Sequence, residues 1–260
     1  MKALPSVLVD SFWGSARSVV ARRFGPTIVI QQGPRNTPPA PKPPEPIQNT
    51  IILQQGRDGY SGCQDTTICS PRPNFNYGGW DQLRLRHSNK ATPNAFDRAL
   101  IRFELPDLPG LISIDDALLT LTVTHIDETL ILDTIPFEAC ILTRDWGEGI
   151  HTGQAATQGE ASHNAAHYLE DDWATPGAQN VPDDRLNPFF SWDAPTCPGI
   201  TILDFLAPVR SWYQDALPNY GVILQPGGFN RFNVYYASRN HASQQSRPEL
   251  GITYTYQPGA

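Results

Sequence analysis

Leu119-Thr120-Leu121-Thr122-Val123-Thr124 defines the fold class, because an apolar residue occupies every second position. Side chains of a β-strand point alternately to its two faces, so this pattern is typical of a strand with one buried face. The same period occurs in residues 99–105 and 249–256, and the sequence therefore predicts several half-buried strands. In residues 99–105 the alternation assigns Leu100, Arg102 and Glu104 to the exposed face, opposite Ala99, Ile101, Phe103 and Leu105.

Turn residues separate the strand patterns and keep helices few. The chain of 260 residues contains 25 prolines and 20 glycines, which favour turns. One helix is predicted at residues 204–212, where Phe205, Val209 and Trp212 share a face and Asp204 is the expected N-cap. The sequence thus predicts an all-β fold, an antiparallel β-sandwich with one short helix.

A long segment, residues 151–199, lacks regular alternation and is rich in polar residues and proline. We expect a mostly irregular excursion over the surface, and loops of this length often serve binding. The acidic pairs Asp171-Asp172 and Asp183-Asp184 are predicted to be solvated loop charges.

A short sequence repeat precedes the strand-rich region. Thr50-Ile51-Ile52-Leu53-Gln54-Gln55-Gly56 has a near-copy in Thr27-Ile28-Val29-Ile30-Gln31-Gln32-Gly33, with five of seven positions identical. A domain needs only one first strand, so the copy indicates an arm that imitates an edge strand and assembles by strand addition. Chance similarity between two short β-rich runs is the alternative.

The region before residue 50 is predicted to be an N-terminal arm, residues 1–49, and residues 50–260 to be the β-domain. Residues 10–23 are predicted to form a short amphipathic helix, in which Phe12 and Trp13 anchor the arm on a partner or membrane surface; a frayed terminus is the alternative. Residues 34–49 contain seven prolines and are expected to form a polyproline II spacer roughly 50 Å long. Ordinary linkers share this composition.

The net charge of −7 argues against a nucleic-acid partner, because phosphate contacts require clustered Lys and Arg. No stretch is long and apolar enough to predict a transmembrane segment. The apolar run after Met1 is broken by Asp10, and Arg17 follows where a signal-peptide cleavage site would lie. We therefore expect a protein made in a cytoplasm and located in a virion or extracellular surface assembly; secretion without a cleaved signal stays open.

Four cysteines, Cys63, Cys69, Cys140 and Cys197, allow three complete disulfide pairings, and the sequence does not choose among them. Cys63 and Cys69 would lie roughly 20 Å apart in one extended strand, too far to bond to each other. No CxxC pair is present, so a structural zinc site is not expected.

Residues 50–256 resemble the DNRLRE domain family, which overlaps a family of alginate-binding carbohydrate-binding modules. Order and spacing of the motifs hold across about 200 residues of this chain, a resemblance that speaks to fold more than to role. The matching segments are Leu53–Gly56 with Gly59–Thr66, Asn76–Gly78 with Asp81–Leu85, Ala99–Phe103, Leu142–Gly149, Trp173–Gly177, Asn219–Leu224, Ala237-Ser238 and Arg247–Leu250. The resemblance implies a jelly-roll-like sandwich without catalysis.

Two features depart from the family pattern. Members often have Thr-Trp-Asn after the Asp-Trp-x-Glu-Gly segment, whereas this chain has Ser162-His163-Asn164, so a tryptophan able to stack on a ligand is absent there. The arm of residues 1–49 lies outside the family domain. The chain also has no GxSxG, HExxH or GxxxxGK[ST] signature, and we predict that the protein is not an enzyme.

Tyr77, Trp80, Arg84 and Arg86 form the candidate carbohydrate site. Aromatic rings stack on sugars and basic groups pair with uronate carboxylates, and the two arginines fall on one face of a strand. The alternative is that the aromatic residues pack the turn while the arginines extend across the sheet.

Asp145 and Glu148 are the candidate metal ligands, because calcium binds several loop oxygens. Two acids alone do not complete such a site, so no cofactor is certain.

The sequence favours a non-enzymatic structural or decoration subunit of a virion or surface filament. Its partners would be copies of itself or another capsid or filament protein, reached through Phe12, Trp13, Ile28, Val29 and Ile30. The alternative is a secreted carbohydrate-binding module for acidic polysaccharide.

Overall fold

The computed structural model describes residue 42 and residues 44–88, 95–127, 136–227 and 232–259. These residues form a mostly antiparallel β-structure with one α-helix, which confirms the predicted all-β class. The strands are β1 Ile47–Gln54, β2 Cys63–Cys69, β3 Phe75–Asn76, β4 Gln82–Ser88, β5 Ala95–Phe103, β6 Leu111–Asp127, β7 Pro136–Ile141, β8 Gln154–Ala155, β9 Ala165–His167, β10 Asp171–Asp172, β11 Phe190–Asp193, β12 Gly199–Asp204, β13 Val222–Pro226, β14 Phe232–Ala237 and β15 Glu249–Tyr256; the helix, α1, is Leu206–Tyr213.

Within these described ranges, eleven strands form one curled sheet in the order β1-β15-β6-β14-β4-β5-β13-β7-β11, with β12 added to β6 and β2 to β5. The 17-residue β6 pairs with three other strands. Its first half pairs with β15, its middle also pairs with β12, and its last residues pair with β14. The curl brings distant parts of the inner face of the sheet together over one core, as expected of a sandwich.

The main core confirms the alternation in β6 and β15. Leu119, Leu121 and Val123 are buried, while the intervening threonines are partly exposed. Leu119 lies opposite Leu250 of β15 and Leu203 of β12, so one apolar residue of β6 stands in a row that crosses three strands. Such cross-strand pairs stabilise a sheet.

The prediction for Leu100 was wrong, because β5 is buried on both faces. Leu100 is 0% exposed and belongs to a second apolar cluster, with Ile68, Cys140, Leu142, Trp146, Ala161, Ala166, Trp173, Ala178 and Ile223.

Several members of this cluster lie in residues 151–199, which therefore form part of the core as well as a surface excursion. The two-residue strands β8 and β10 and the three-residue strand β9 interrupt this segment. Asp184 was also wrongly predicted as solvated: it is 0% exposed, and its carboxylate accepts hydrogen bonds from the N–H groups of Ala174, Thr175 and Asn180.

The helix α1 begins one residue later than predicted, with Phe205 in place of Asp204 as its N-cap, but its buried face is as expected, with Phe205, Val209 and Trp212 all buried. Phe205 occupies the N-cap position, and the Asp204 carboxylate accepts from the N–H of Leu206 at 2.9 Å. Asp204 thus satisfies one free donor of the first turn.

The strand β1 begins at Ile47, three residues before the predicted start, because Ile47, Gln48 and Asn49 continue the pairing with β15.

The four cysteines are free, with Cys63, Cys69 and Cys140 buried and Cys197 exposed. No helix in the described ranges has the length and hydropathy needed to cross a membrane. The predicted arm helix and the anchors Phe12, Trp13, Ile28, Val29 and Ile30 lie outside the described residues, as does most of the Pro-rich spacer.

Candidate functional site

The candidate carbohydrate residues converge beside β4. The ring centroids of Tyr77 and Trp80 are 5.7 Å apart, and the Arg84 guanidinium lies 6.0 Å from the Tyr77 ring and 5.5 Å from the Trp80 ring. Tyr77 is only 7% exposed, so its ring packs the turn. Trp80 is half-buried and is the more accessible of the two aromatic side chains.

Both arginines of this group bind the carboxylate of Asp97, which is not among the predicted site residues. Asp97 Oδ2 lies 2.5 Å from Arg84 Nε and 2.8 Å from Arg86 Nε, and its side chain is 0% exposed. The arginine side chains keep only 16% and 24% exposure. The two guanidinium groups therefore neutralise a buried charge, and little of their surface is open to a ligand.

Two more side chains extend the group across the sheet. Tyr235 of β14 lies opposite Arg84 on one side and His125 of β6 on the other. Its ring is 6.0 Å from Trp80, edge to face, and 5.7 Å from His125. We call Trp80, Arg84, His125 and Tyr235 the polar-aromatic face. Tyr235 and His125 lie far from Trp80 in the sequence, so only the strand order reveals the set.

The two candidate metal ligands do not converge on one point. The Asp145 carboxylate pairs with Arg102 Nη1 at 2.5 Å and lies 3.6 Å from His167 Nε2, whereas Glu148 pairs with Arg239. Among the residues that the structure describes, no group of three or more His, Cys, Asp or Glu is placed to hold a metal ion. Calcium at Asp145 and Glu148 stays a prediction.

Glu148 belongs instead to a buried cluster with Asp65 and Arg239. Glu148 Oε1 accepts from the Asp65 N–H at 2.9 Å, and the Arg239 N–H donates to Asp65 Oδ2 at 2.6 Å. Burial raises the pKa of Asp65 to about 8 and also raises the pKa of Glu148. Because both pKa values are raised, the charge of this cluster depends on pH.

The candidate assembly surface is the strand β1. In the described part of the chain, β1 pairs with β15 alone and so forms one edge of the curled sheet. Thr50 Oγ1 lies 2.9 Å from Thr253 Oγ1, Gln54 Nε2 donates to the Arg247 carbonyl at 3.0 Å, and Leu53 is buried in the core.

The end of β1 is defined by one further contact and one glycine turn. Arg247 Nη1 donates to the Gln55 carbonyl at 3.0 Å. Gly56 has a φ of 87°, which glycine adopts without strain. The Thr50 and Gln54 side chains and this turn therefore add contacts to the backbone pairing of β1 with β15.

Comparison with models of known protein families and with curated proteins finds no match for this chain. The resemblance to the DNRLRE domain family therefore stays a prediction, and the functional conclusion rests on the geometry of the edge strand and of the sheet face.

Proposed function

We propose that this protein is a non-enzymatic structural or decoration subunit of a larger assembly, such as a virion or surface filament, and that its arm joins subunits by strand exchange. The observation that carries the proposal is the match between β1 and residues 27–33. Thr50 and Gln54, whose side chains contact Thr253 and Arg247, and Gln55 and Gly56, which end the strand, have identical counterparts in the copy.

The apolar positions of the copy also suit the place that β1 occupies. Ile28 would replace Ile51 against the core, and Ile30 would replace the buried Leu53. A fully buried residue of this size contributes roughly 1.5–3 kcal/mol. Exchange of β1 for a near-copy from a neighbouring subunit would leave most contacts of β15 unchanged. Strand exchange therefore requires little free energy.

Light scattering coupled to size-exclusion chromatography tests the proposal on the full chain. Ile28→Asp with Ile30→Asp places two charges in the exchanged strand, so we expect the assembly to dissociate while the thermal unfolding of the β-domain stays unchanged. Asn36→Asp with Thr37→Asp adds the same charge in the Pro-rich spacer and serves as the control. Equal masses for both double variants, or a monomeric parent, would refute the proposal.

A second candidate function, binding of acidic polysaccharide, is favoured by the polar-aromatic face. Trp80 and Tyr235 offer ring surface for a sugar, and Arg84 lies against the Trp80 ring. Retention on immobilised alginate tests it. Trp80→Ala with Tyr235→Ala is expected to reduce retention, whereas Leu169→Ala, at a residue 76% exposed elsewhere, is expected to leave it unchanged. Equal retention of both variants would remove this face as a sugar site.

A further inference from the structure

The Arg98 side chain of β5 is buried without a polar partner. The residue is 6% exposed, and its Nε and Nη1 atoms are buried with no hydrogen-bond partner. One face of the guanidinium lies 5.3 Å from the Phe96 ring centroid. Within the described residues Arg98 joins no ion pair, which is rare because a buried charge is normally paired.

Two other side chains near Arg98 have an unpartnered nitrogen: His163, and Arg185, whose charge acts on Arg98 and whose Nη1 donates to the Leu186 carbonyl. His163 Nδ1 and Arg185 Nε are both buried and without a hydrogen-bond partner. Gly177 separates Arg98 from His163: a Cβ at this glycine would lie 2.5 Å from Arg98 Nη1 and 2.7 Å from His163 Cε1. The close approach of these side chains therefore requires glycine at position 177.

The neighbouring acidic groups do not neutralise this cluster. Asp97 is held by Arg84 and Arg86, and among the described residues Glu138 forms no ion pair with Arg98 or Arg185, its carboxylate accepting instead from Gln225 Nε2 at 3.0 Å. Arg185 Nη1 contacts the Cys140 sulfur at 3.3 Å, but burial raises the pKa of this thiol to about 11, so the thiol is uncharged at neutral pH. Burial and the charge of Arg185 lower the pKa of Arg98 to about 10, which leaves Arg98 protonated. The buried Arg98 and the partly exposed Arg185 thus place two like charges near each other.

We propose that Arg98, Arg185 and His163 form a binding site for a small monovalent anion of the halide class. Guanidinium groups are weakly hydrated and donate several N–H groups in a fixed geometry, which suits a weakly hydrated anion. One negative charge would satisfy the unpartnered donors of both arginines, and the neutral imidazole of His163 supplies a third N–H. Arg185 and His163 are each partly exposed, which gives the anion a route from solvent.

Bromide is the probe, because it scatters X-rays anomalously and replaces chloride. In crystals of the full chain grown with bromide, we expect an anomalous peak within contact of Arg98 Nη1, Arg185 Nε and His163 Nδ1. Parent protein should also gain thermal stability from bromide, with a Tm rise of about 3–6 °C at roughly ten times Kd.

Arg98→Met removes the central cation and is expected to abolish this anion-specific part of the Tm rise. Arg57→Met, which removes the same charge from a surface pair with Glu249, should respond to bromide as the parent does. The crystal result does not depend on whether the Arg98 variant folds. Ordered water without an anomalous peak would overturn the proposal. So would a peak without extra stabilisation of the parent, which would identify an adventitious ion only.

Discussion

The backbone N–H of Arg239 donates to the carboxylate of Asp65 across 2.6 Å in a region from which water is excluded, since Asp65 is 1% exposed. This hydrogen bond and the nearby Arg239 charge favour the ionised carboxylate, but burial and the charge of Glu148 oppose it more strongly. The pKa of Asp65 is consequently raised from 3.8 to about 8. The folded protein holds this proton at pH values where the unfolded chain has lost it.

A pH dependence of stability follows from this difference. A raised pKa in the folded state contributes stability below the unfolded value, and that contribution is lost as the pH rises from about 4 to about 8. Asp65→Asn keeps an acceptor oxygen for the Arg239 N–H without a charge, so the variant should gain Tm relative to the parent as the pH increases through this window. Paired thermal melts at pH 4, 6 and 8 measure it; a constant difference between variant and parent would contradict the shifted pKa.

The shared carboxylate of Asp97 makes Arg84 and Arg86 structural residues. Arg84→Ala with Arg86→Ala would leave a buried charge unpaired, and we expect the free energy of unfolding to fall by about 3–5 kcal/mol. Asp97→Asn in the same variant should recover part of the loss. Urea unfolding measures both. Arg57→Ala, in a partly exposed pair with Glu249, is the control and should change stability by about 0–1 kcal/mol. A double arginine variant as stable as this control would disprove the role of Asp97.

Gly79 is expected to tolerate no side chain. A Cβ there would lie 2.0 Å from the Ile150 carbonyl oxygen, whereas a Cβ at Gly199 would meet no atom within 4 Å. Gly79→Ala must displace the backbone that follows Glu148, so it should lower the free energy of unfolding by about 1–3 kcal/mol. Gly199→Ala, the matched control, should be nearly neutral in the same urea titration. Similar urea midpoints for the two variants would contradict this, because they would show that the backbone of residues 148–151 moves without a loss of stability.

Alternation could predict the strands but not the second core. Leu119, Leu121 and Val123 follow a strict period of two, and their burial depends only on which face of β6 meets the other layer. Leu100 breaks the rule because residues from the 142–178 region, including Trp146 and Trp173, cover the outer face of β5. These covering residues lie in irregular segments, whose sequences show no apolar periodicity from which their burial could be predicted.

The candidate site was predictable only where its members are close in sequence. Tyr77, Trp80 and Arg84 meet as expected because a single turn leads into β4. Asp97, Tyr235 and His125 reach the same place through strand pairing, which a single sequence does not reveal. Neither the second core nor the role of Asp97 could be predicted, because both depend on contacts between residues far apart in the sequence.

The central claim is that residues 27–33 of one subunit pair with β15 of another. Thr50 lies directly opposite Thr253 in the register of β1 and β15, so the copy places Thr27 opposite Thr253 of a neighbour. Opposed residues of this kind have Cβ atoms about 4.5–5.5 Å apart, close enough for small adjustments to permit a disulfide. Cys197, the exposed cysteine, is changed to Ser in each variant to remove its background reaction.

The most direct measurement mixes two single-cysteine variants, Thr27→Cys and Thr253→Cys, under oxidising conditions and resolves the products on a non-reducing gel. Strand exchange predicts a covalent dimer joined through positions 27 and 253, identified by mass spectrometry of the linked peptides, and no such product when Thr37→Cys replaces Thr27→Cys. Absence of the dimer from the mixture, together with a link inside one chain when both cysteines are on the same molecule, would contradict assembly through the arm.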